Sequence, residues 1–530
     1  MVTQHGIKYA VHIITAHFGN LVAKVCECLI RRGPLTLLNI TRYTELTSSQ
    51  VKNSLLVLIQ HNCVQAFILE QLGGFGEGSK FNTQYIVLVD NILHRVRFSK
   101  FLMIVSAELD NQCVELFEGL LQHGRLTVNQ MLDRAKANER NGNSVVSNAV
   151  RGSLLKLVTA HYVERCPAPE PLLALPIEEE APPKKRGAKS DKIIEKSETI
   201  EQRVLSAAVP WEGLRFAVIP NTESDAGAEK DENNSSTITV GEKRKHDAVE
   251  PNKENGAMDE SIVLWRANVE EFMHHLRHKA CIEIVRAHLD DGAVTVLSAM
   301  VEATRAAEKK VKTENSVPLS VNSIYEEVIK SEAGQKLTFD HVRASLGQLG
   351  SQFFVSAVDE AYSINFKSIV ELGRNEEVES IVSKRHGKKE YRIFRLLSMS
   401  NRFLETDKIS NDTLTEKKDT LNILYKLWKD DYLHMEKVVV TGSRQSQFML
   451  WKVIKHTLWE HVLDEMFHAA LNLSQRLAYE LEKETELLNL PSDKRTGQLK
   501  DKFNRIKRVR SLLESSQMKL DDAILLFHDF

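Results

Sequence analysis

One local pattern occurs four times along the chain: a polar start, an amphipathic helix and then an abrupt change to a β-rich run. Apolar residues recur at i, i+4 and i+7 in three copies, the spacing of one buried helical stripe, and the fourth has Thr420 at its first stripe position. Six residues after each last stripe position the pattern becomes strand-like, so a helix followed by a strand is predicted in every copy. The four copies are Thr47 to Phe67, Asn143 to Arg165, Thr338 to Val358 and Thr415 to Val439.

A second helix is predicted upstream of each copy, and each ends at Gly33, Gly124, Gly292 or Asn401. Glycine, or asparagine as its substitute, suits the left-handed end of a helix. The repeating unit is therefore helix, short strand, helix, helix and β-hairpin, which is a winged-helix module. A helical solenoid is the alternative, but the repeats are unevenly spaced and hairpins intervene.

The predicted fold class is mainly α with small β-hairpins: four winged-helix modules and a C-terminal antiparallel coiled-coil hairpin. The modules are expected at residues 1–95, 96–220, 261–363 and 364–453, and the hairpin at 454–530. Stretches rich in Pro, Glu and Lys or otherwise polar predict a disordered insertion at about 167–200 and a flexible linker at 221–260. A shorter insertion at about 305–318 interrupts the third module.

The hairpin prediction rests on a heptad stripe in the last segment of the chain, where apolar residues recur from Leu499 onwards. This stripe can pack inside the chain or face another protein. Its candidate partner-interface residues are Leu513, Leu520, Ile524 and Phe527.

Composition limits the function classes. Lys plus Arg (70) nearly equals Asp plus Glu (72), so the chain lacks the global basic excess that drives indiscriminate nucleic-acid binding, and any such contact must be local. Its six cysteines form no C-x-x-C pair, which favours reduced thiols. A signal peptide and an apolar stretch of about 20 residues are both missing from the sequence, so we expect an intracellular, soluble protein without a membrane partner.

Motifs for catalysis are weak. The segment Gly73 to Lys80 resembles a phosphate-binding loop but precedes a strand, whereas such a loop needs a helix behind it. His274 and His278 have i, i+4 spacing, but no third metal ligand is near in sequence, so surface or interface histidines are expected. Kinase, nucleotide-binding and nucleophile-elbow signatures do not occur. We therefore expect no enzyme activity, no metal, no cofactor and no small-molecule substrate.

Local basic groups are the remaining signal, and they lie on the predicted third helices or in clusters near the third and fourth modules. The third helices lack the dense Arg, Asn and Gln set that reads base edges, so phosphate contact is more plausible than sequence readout. An ordinary solvated surface is the alternative for each cluster. Two basic stretches, Pro182 to Lys189 and Glu242 to His246, resemble nuclear-import signals. The DNA-contact candidates are Lys309, Lys310, Lys312, Arg343, Lys384, Arg385, Lys388, Lys389, Lys417 and Lys418.

The order of these features resembles a known family. The segment HFGNLVAKVCECLIRRGPLTL near the N-terminus, VLWRANVEEFMHHLRH at Val263 to His278 and the ending ILLFHDF are similar to the third subunit of DNA-directed RNA polymerase III. The resemblance covers the whole chain except the two polar stretches, and the order of the segments carries it, since no single motif is diagnostic.

The resemblance implies a nuclear, non-catalytic subunit related to the large subunit of the general transcription factor TFIIE. It also implies a trimer with two smaller subunits on the polymerase clamp, where the trimer helps to open promoter DNA and contacts melted or single-stranded DNA without sequence specificity. Two alternatives stay open on the residues alone: a free winged-helix transcription regulator, and an architectural scaffold protein of another assembly.

Replacing both Leu513 and Leu520 with Asp is expected to destabilise the C-terminal hairpin and weaken retention of the chain in its assembly, because burying unpaired carboxylates is costly. Thermal unfolding and co-purification measure the two effects. If neither changes, the stripe is neither core nor interface.

Overall fold

The computed structural model describes residues 3–71, 80–138, 145–173, 198–210, 212–217, 263–305, 307–308, 311–358, 361–440, 446–483, 485, 491 and 497–530. Predictions for the glycine-rich hairpin tip, most of the insertion at 167–200, the linker at 221–260, Lys309 and Lys310 lie outside these residues. Two compact units result: one comprises Met1–Val57, Val87–Arg97 and Val269–Phe530, and the other Leu58–Ile86 and Phe98–Asn268. Within the described residues, no helix combines the length and apolar character that a membrane span requires.

The first module has four helices followed by a two-stranded wing. The two wing strands, Val64–Gln71 and Lys80–Val87, form a three-stranded sheet with Leu172–Leu173, which pairs with the first of them. This third strand comes from the start of the insertion that was predicted to be disordered. That prediction was wrong for the insertion's first residues, because Leu173 is buried with Phe67, Ile86 and Val204 and so supplies a small core. The elements are α1 (Gln4–Phe18), α2 (Asn20–Arg32), α3 (Leu37–Thr44), α4 (Ser48–Gln60), β1 (Val64–Gln71), β2 (Lys80–Val87) and β5 (Leu172–Leu173).

The second module completes its sheet with a strand that is distant in sequence. Residues 263–267 were expected to open the third module, but strand β6 (Leu264–Ala267) instead lies at the centre of a sheet, between β3 (Leu126–Thr127) and β4 (Val163–Arg165). Trp265 on β6 is almost fully buried, and its pairing partner Arg165 precedes it by one hundred residues, a separation that no local pattern can bridge. The elements are α5 (Val89–His94), α6 (Phe98–Glu108), α7 (Asn111–His123), β3 (Leu126–Thr127), α8 (Val128–Asn138), α9 (Val145–Thr159), β4 (Val163–Arg165), α10 (Ile200–Ala208), α11 (Glu212–Arg215) and β6 (Leu264–Ala267).

Gly124 shows why the helix before β3 must end in glycine. Its φ is +80°, and a Cβ there would collide with the backbone of Gln60. The same junction is tied by the Gln60 side-chain amide, which donates to the carbonyl oxygen of Arg125 at 2.6 Å.

The third and fourth modules repeat the plan, each after a leading helix. Gly292 was expected to end a helix but is the second residue of one, because the Asp290 carboxylate accepts a hydrogen bond from the backbone of Ala293 (2.9 Å) and caps a new start. The third contains α12 (Val269–Arg286), α13 (Asp291–Arg305), β7 (Leu319–Ser320), α14 (Val321–Lys330), α15 (Phe339–Ser351), β8 (Val355–Val358) and β9 (Ala361–Ile364), and the fourth contains α16 (Phe366–Arg385), α17 (Lys388–Ser400), β10 (Leu404–Glu405), α18 (Thr406–Thr413), α19 (Lys417–Lys429), β11 (His434–Val440) and β12 (Ser446–Lys452).

All four third helices end in the same way. A residue with left-handed φ, between 58° and 59°, follows each helix, and the next backbone N–H donates to the carbonyl of the last stripe residue over 2.8 to 3.0 Å. This is the Schellman arrangement, in which the last orphan carbonyls of a helix are satisfied before the chain turns into a strand. The predicted change from helix to strand is confirmed in every module. The left-handed residues are Asn62, His161, Phe353 and Asp431.

A helical hairpin follows the fourth module, built from α20 (Lys455–Lys483) and the C-terminal helix Gln498–Ile524, which ends in a π-helical turn at Leu525–Asp529. The N-terminal helix α1 packs on this hairpin, which the sequence did not indicate. His5 Nδ1 lies 2.6 Å from Asp464 Oδ2, and Tyr9 contacts both Phe467 and the side-chain amide of Gln517.

A buried charge cluster joins the C-terminal turn to the residues before α6. Arg97 is only 1% exposed; its Nε lies 2.9 Å from Asp521 and its Nη1 2.7 Å from Asp529. Burial alone would lower the pKa of Arg97, but the two carboxylates raise it above its ordinary value. Burial lowers the pKa of His94 to about 4, so this imidazole is neutral near neutral pH and its Nδ1 accepts a hydrogen bond from Arg97 Nη1 at 2.9 Å.

Replacing Arg97 with Met should lower the free energy of unfolding by about 3–5 kcal/mol, because two buried carboxylates lose their counter-charge. The matched control is Arg31→Met, which removes the exposed pair with Glu27 and should cost no more than about 1 kcal/mol. Denaturant unfolding of both variants measures the difference. Equal losses would show that the buried cluster adds nothing beyond a surface ion pair.

Candidate nucleic-acid interface

Several of the predicted DNA-contact residues already have partners within the chain. Arg385 Nη1 donates to Glu465 Oε1 at 2.6 Å and to the Tyr432 hydroxyl at 3.0 Å, and the bond to Glu465 raises the pKa of Arg385. Lys417 Nζ lies 2.6 Å from Asp407. Lys312 Nζ donates to the carbonyl oxygen of His528 at 3.0 Å, which ties the third-module insertion to the C-terminal turn. A DNA phosphate that approached any of these three side chains would compete with its partner inside the chain.

The other described candidates are exposed, and no carboxylate of the described residues pairs with them: Arg343, Lys384, Lys388, Lys389 and Lys418. Three of these five cations lie at helix N-termini, where a positive charge does not stabilise the fold. Lys388 and Lys389 begin helix α17, and Lys418 lies in the first turn of α19. A cation at a helix N-terminus opposes the macrodipole and costs about 0.3–1 kcal/mol, whereas an anion bound there is favoured.

Helix α17 carries a basic row that sequence analysis identified only in part. Lys388, Arg392 and Arg395 follow one another at i, i+4 and i+7 and line a shallow groove with Met399, which is 74% exposed. Arg395 was missed because it lies beyond the cluster of consecutive cations. The i, i+4, i+7 spacing on a helix was the available signal.

The outer faces of the four third helices differ at equivalent positions. Leu56 is 65% exposed and Leu155 is 53% exposed. Exposed leucines at the centre of a third helix fit a protein contact better than a contact with base edges. Two equivalent outer positions can be compared, taking the four modules in chain order. The first lies six residues before the last stripe residue and is a cation in three modules: Lys52, Arg151, Arg343 and Leu421. The second lies one helical turn later: Leu56, Leu155, Gly347 and Tyr425.

The candidate partner-interface residues are covered to different extents. Ile524 and Phe527 are buried within this chain, whereas Leu513 and Leu520 are half-buried. The neighbouring Leu512 lies off the heptad stripe and is 69% exposed, so it presents more apolar surface than any of the four predicted residues. Sequence analysis missed it because the heptad pattern selects the inward face.

His274 and His278, expected at a surface or interface, are buried, and Glu308 supplies the third group that was not apparent in the sequence. Its Oε2 lies 3.3 Å from His274 Nδ1, 3.0 Å from His278 Nε2 and 2.7 Å from Arg277 Nη2. The Arg277 guanidinium also stacks over the Phe366 ring, 4.3 Å from its centroid. These contacts hold the insertion against α12.

The two histidines and Glu308 have ligand atoms within 4.8 Å of one another, close enough to surround a metal ion. However, Arg277 already neutralises the carboxylate. A divalent ion there would stand beside a buried guanidinium, and like charges about 4 Å apart repel by roughly 4 kcal/mol per unit charge at an effective dielectric constant near 20. The residues therefore fit an ion-pair clamp better than a metal site.

The clamp predicts a specific pH dependence. Burial alone would raise the pKa of Glu308, but its close contacts with the two histidines and the charge of Arg277 lower it to about 2. Its stabilising effect is therefore present above the unfolded-state pKa and is lost as the pH falls towards 2. Replacing Glu308 with Gln should cost about 3 kcal/mol near neutral pH, because Arg277 loses its counter-charge.

The measurement is the free energy of unfolding of wild type and Glu308→Gln between pH 6 and 2.5, where the gap should shrink as the pH falls. Glu314→Gln is the control, since it removes an exposed carboxylate of the same insertion that pairs with Lys367. A gap that does not depend on pH would contradict the clamp.

Known proteins match this arrangement of modules. The helix-turn-helix domain of RNA polymerase III subunit RPC82 matches residues 8–68, RNA polymerase III subunit RPC82 matches residues 152–373, and the C-terminal winged-helix domain of POLR3C matches residues 378–453. Two of these models are named for the same RNA polymerase III subunit, and the three together span more than half of the chain.

Curated relatives agree over the full length. DNA-directed RNA polymerase III subunit RPC3 of Homo sapiens is 22% identical, and the alignment covers 100% of this chain and 98% of the relative. The proteins of the same name in Danio rerio (24%, 90% of this chain and 84% of the relative) and Dictyostelium discoideum (22%, 99% and 99%) extend the match. The chain therefore belongs to the family of RNA polymerase III subunit RPC3, for which the matching family models are named RPC82 and POLR3C.

Proposed function

We propose that this RNA polymerase III subunit is non-catalytic, that it works in the nucleus, and that it acts in transcription initiation by helping to open promoter DNA. It docks on the polymerase clamp as a trimer with two smaller subunits. The winged-helix modules and the C-terminal hairpin provide the docking surfaces, and the exposed Leu56, Leu155 and Leu512 support this part of the proposal.

We further propose that the fourth module contacts DNA phosphates near the melted region without reading sequence. One observation carries this proposal: Lys384, Lys388, Lys389 and Lys418 are exposed cations without a carboxylate partner among the described residues. Three of them lie at helix N-termini, where a phosphate would gain from the macrodipole as well as from the ammonium groups. We include Lys309 and Lys310 among the proposed phosphate contacts because of their charge alone.

A salt series tests the phosphate contacts. Replacing Lys384, Lys388 and Lys389 with Ala should reduce the slope of log affinity against log salt by about 0.7 per lost contact on single-stranded DNA and about 0.9 on duplex. The matched control is a triple Ala variant of Lys156, Lys330 and Lys367, which loses the same charge from side chains already paired with carboxylates. Equal slopes for both variants would show that Lys384, Lys388 and Lys389 are ordinary solvated surface residues and do not contact phosphates.

A transcription assay tests the step in initiation. Polymerase reassembled with the Lys384, Lys388 and Lys389 variant should initiate several-fold less on duplex promoters and recover on templates with a pre-melted bubble, because the opened template no longer requires the lost contacts. Equal defects on both templates would contradict a role in promoter opening.

A further inference from the structure

The third helix and the wing of the third module form the two walls of a groove. Helix α15 contributes Arg343, Gly347 and Gly350 to it, and the hairpin β8–β9 contributes Val355, Ala357 and Tyr362. None of the described residues that line the groove is acidic. Arg343 is the one cation among these lining residues, and it is exposed.

Two glycines leave the helix backbone bare along this groove. A Cβ at Gly347 would meet nothing within 4 Å, and one at Gly350 would meet only the carbonyl oxygen of Val355, at 3.9 Å. The equivalent of Gly347 is leucine in the first two modules and tyrosine in the fourth. Only in the third module, therefore, can a ligand approach the backbone of the third helix at this position.

One aromatic side chain lines the groove, and a second lies next to it in the sequence. Tyr362 is a lining residue, and Phe353 stands in the chain between helix α15 and strand β8, which belong to the two walls. Phe353 is 76% exposed and has a φ of +59°, a conformation that asparagine and aspartate adopt more readily than phenylalanine. The equivalent left-handed position after the third helix is an asparagine in the first module, Asn62, and an aspartate in the fourth, Asp431. A mostly exposed ring on a strained backbone is a candidate for a functional contact.

We propose that this groove binds an unpaired DNA strand, with Arg343 contacting a phosphate and the rings of Phe353 and Tyr362 stacking on bases. The proposal deepens the proposed function and rests on it. Backbone phosphates meeting a cation, together with bases stacking on aromatic rings, is the general mode of single-strand binding.

A duplex fits the groove less well. Reading a major groove requires side chains that project from the third helix, and here the helix face carries Gly347 and Gly350. Bases in a duplex are already stacked on one another, so the faces that Phe353 and Tyr362 would contact are covered. An unpaired strand offers those faces to the rings.

The open space at Gly347 allows a test that leaves the fold intact. Gly347→Glu places a carboxylate in the groove without a steric clash, and glutamate has a higher helix propensity than glycine. Gly152→Glu is the matched control, because Gly152 lies on the third helix of the second module and a Cβ there also meets nothing within 4 Å. The full chain is titrated against a fluorescent mixed-sequence strand of about 20 nucleotides and its duplex, a length that exceeds the site size of a single binding module. Thermal unfolding verifies that each variant folds.

Gly347→Glu should weaken single-strand binding at least tenfold, and Gly152→Glu should not. Phe353→Asn, which adopts the residue of the first module, and Tyr362→Ala should each weaken it roughly 5-fold or more, since a stacked base contributes about 1–3 kcal/mol. Arg343→Ala should lower the salt slope by about 0.7.

The outcomes separate the two proposals. A wild-type chain that fails to bind either probe overturns the proposed DNA contact itself. Wild-type binding with equal affinities for Gly347→Glu and Gly152→Glu overturns the groove and leaves DNA contact by other residues. An equal loss on strand and duplex overturns the single-strand assignment. An RNA strand of the same sequence distinguishes a transcript as the source, and a tenfold preference for it overturns the assignment to DNA.

Discussion

Each winged-helix module depends on a single left-handed residue between its third helix and its wing. That residue turns the chain out of the helix and lets the next N–H satisfy one of the orphan carbonyls of the last helical turn, so the chain is already hydrogen-bonded where it enters the strand. Non-glycine residues accept this conformation at a cost of roughly 1–2 kcal/mol. Asparagine, aspartate and histidine adopt it more readily than most residues, as at Asn62, Asp431 and His161, whereas phenylalanine, at Phe353, does not. Because all four helices end at the same step, positions along their outer faces correspond from module to module.

This correspondence shows how one scaffold supports different surfaces. The apolar residues of the buried stripe are nearly the same in all four modules, while two outer positions one turn apart differ. They hold a cation and a leucine in the first two modules, a cation and a glycine in the third, and a leucine and a tyrosine in the fourth. The modules therefore differ in what they present while sharing how they fold. Charge is divided in a similar way: Arg97, Arg277 and Arg385 are paired within the chain, and the exposed cluster Lys384, Lys388 and Lys389 faces the solvent.

Sequence reasoning succeeded where the determinants are local. The apolar stripe, the capping residues and the change of period placed all four third helices and their following strands. It failed where a partner is distant: Trp265 pairs in a sheet with residues one hundred positions earlier, and Glu308 reaches His274 and His278 from the end of an insertion. The same limit applies to the candidate interface. A run of basic residues is visible in sequence, but the pairing of Arg385 with Glu465, eighty residues away, is not.

The position of β6 at the centre of the second module's sheet determines which neighbouring segment can change in length during evolution. Because β6 pairs with β3 and β4, the elements before and after residues 218–262 belong to one module. Closing a longer loop costs only about 0.6 kcal/mol for each doubling of its length. We therefore expect this stretch to gain or lose residues over evolution with little effect on the fold, whereas Leu264–Ala267 must keep its place. The boundary between the two compact units in this part of the chain falls after Asn268, not within the polar stretch before it.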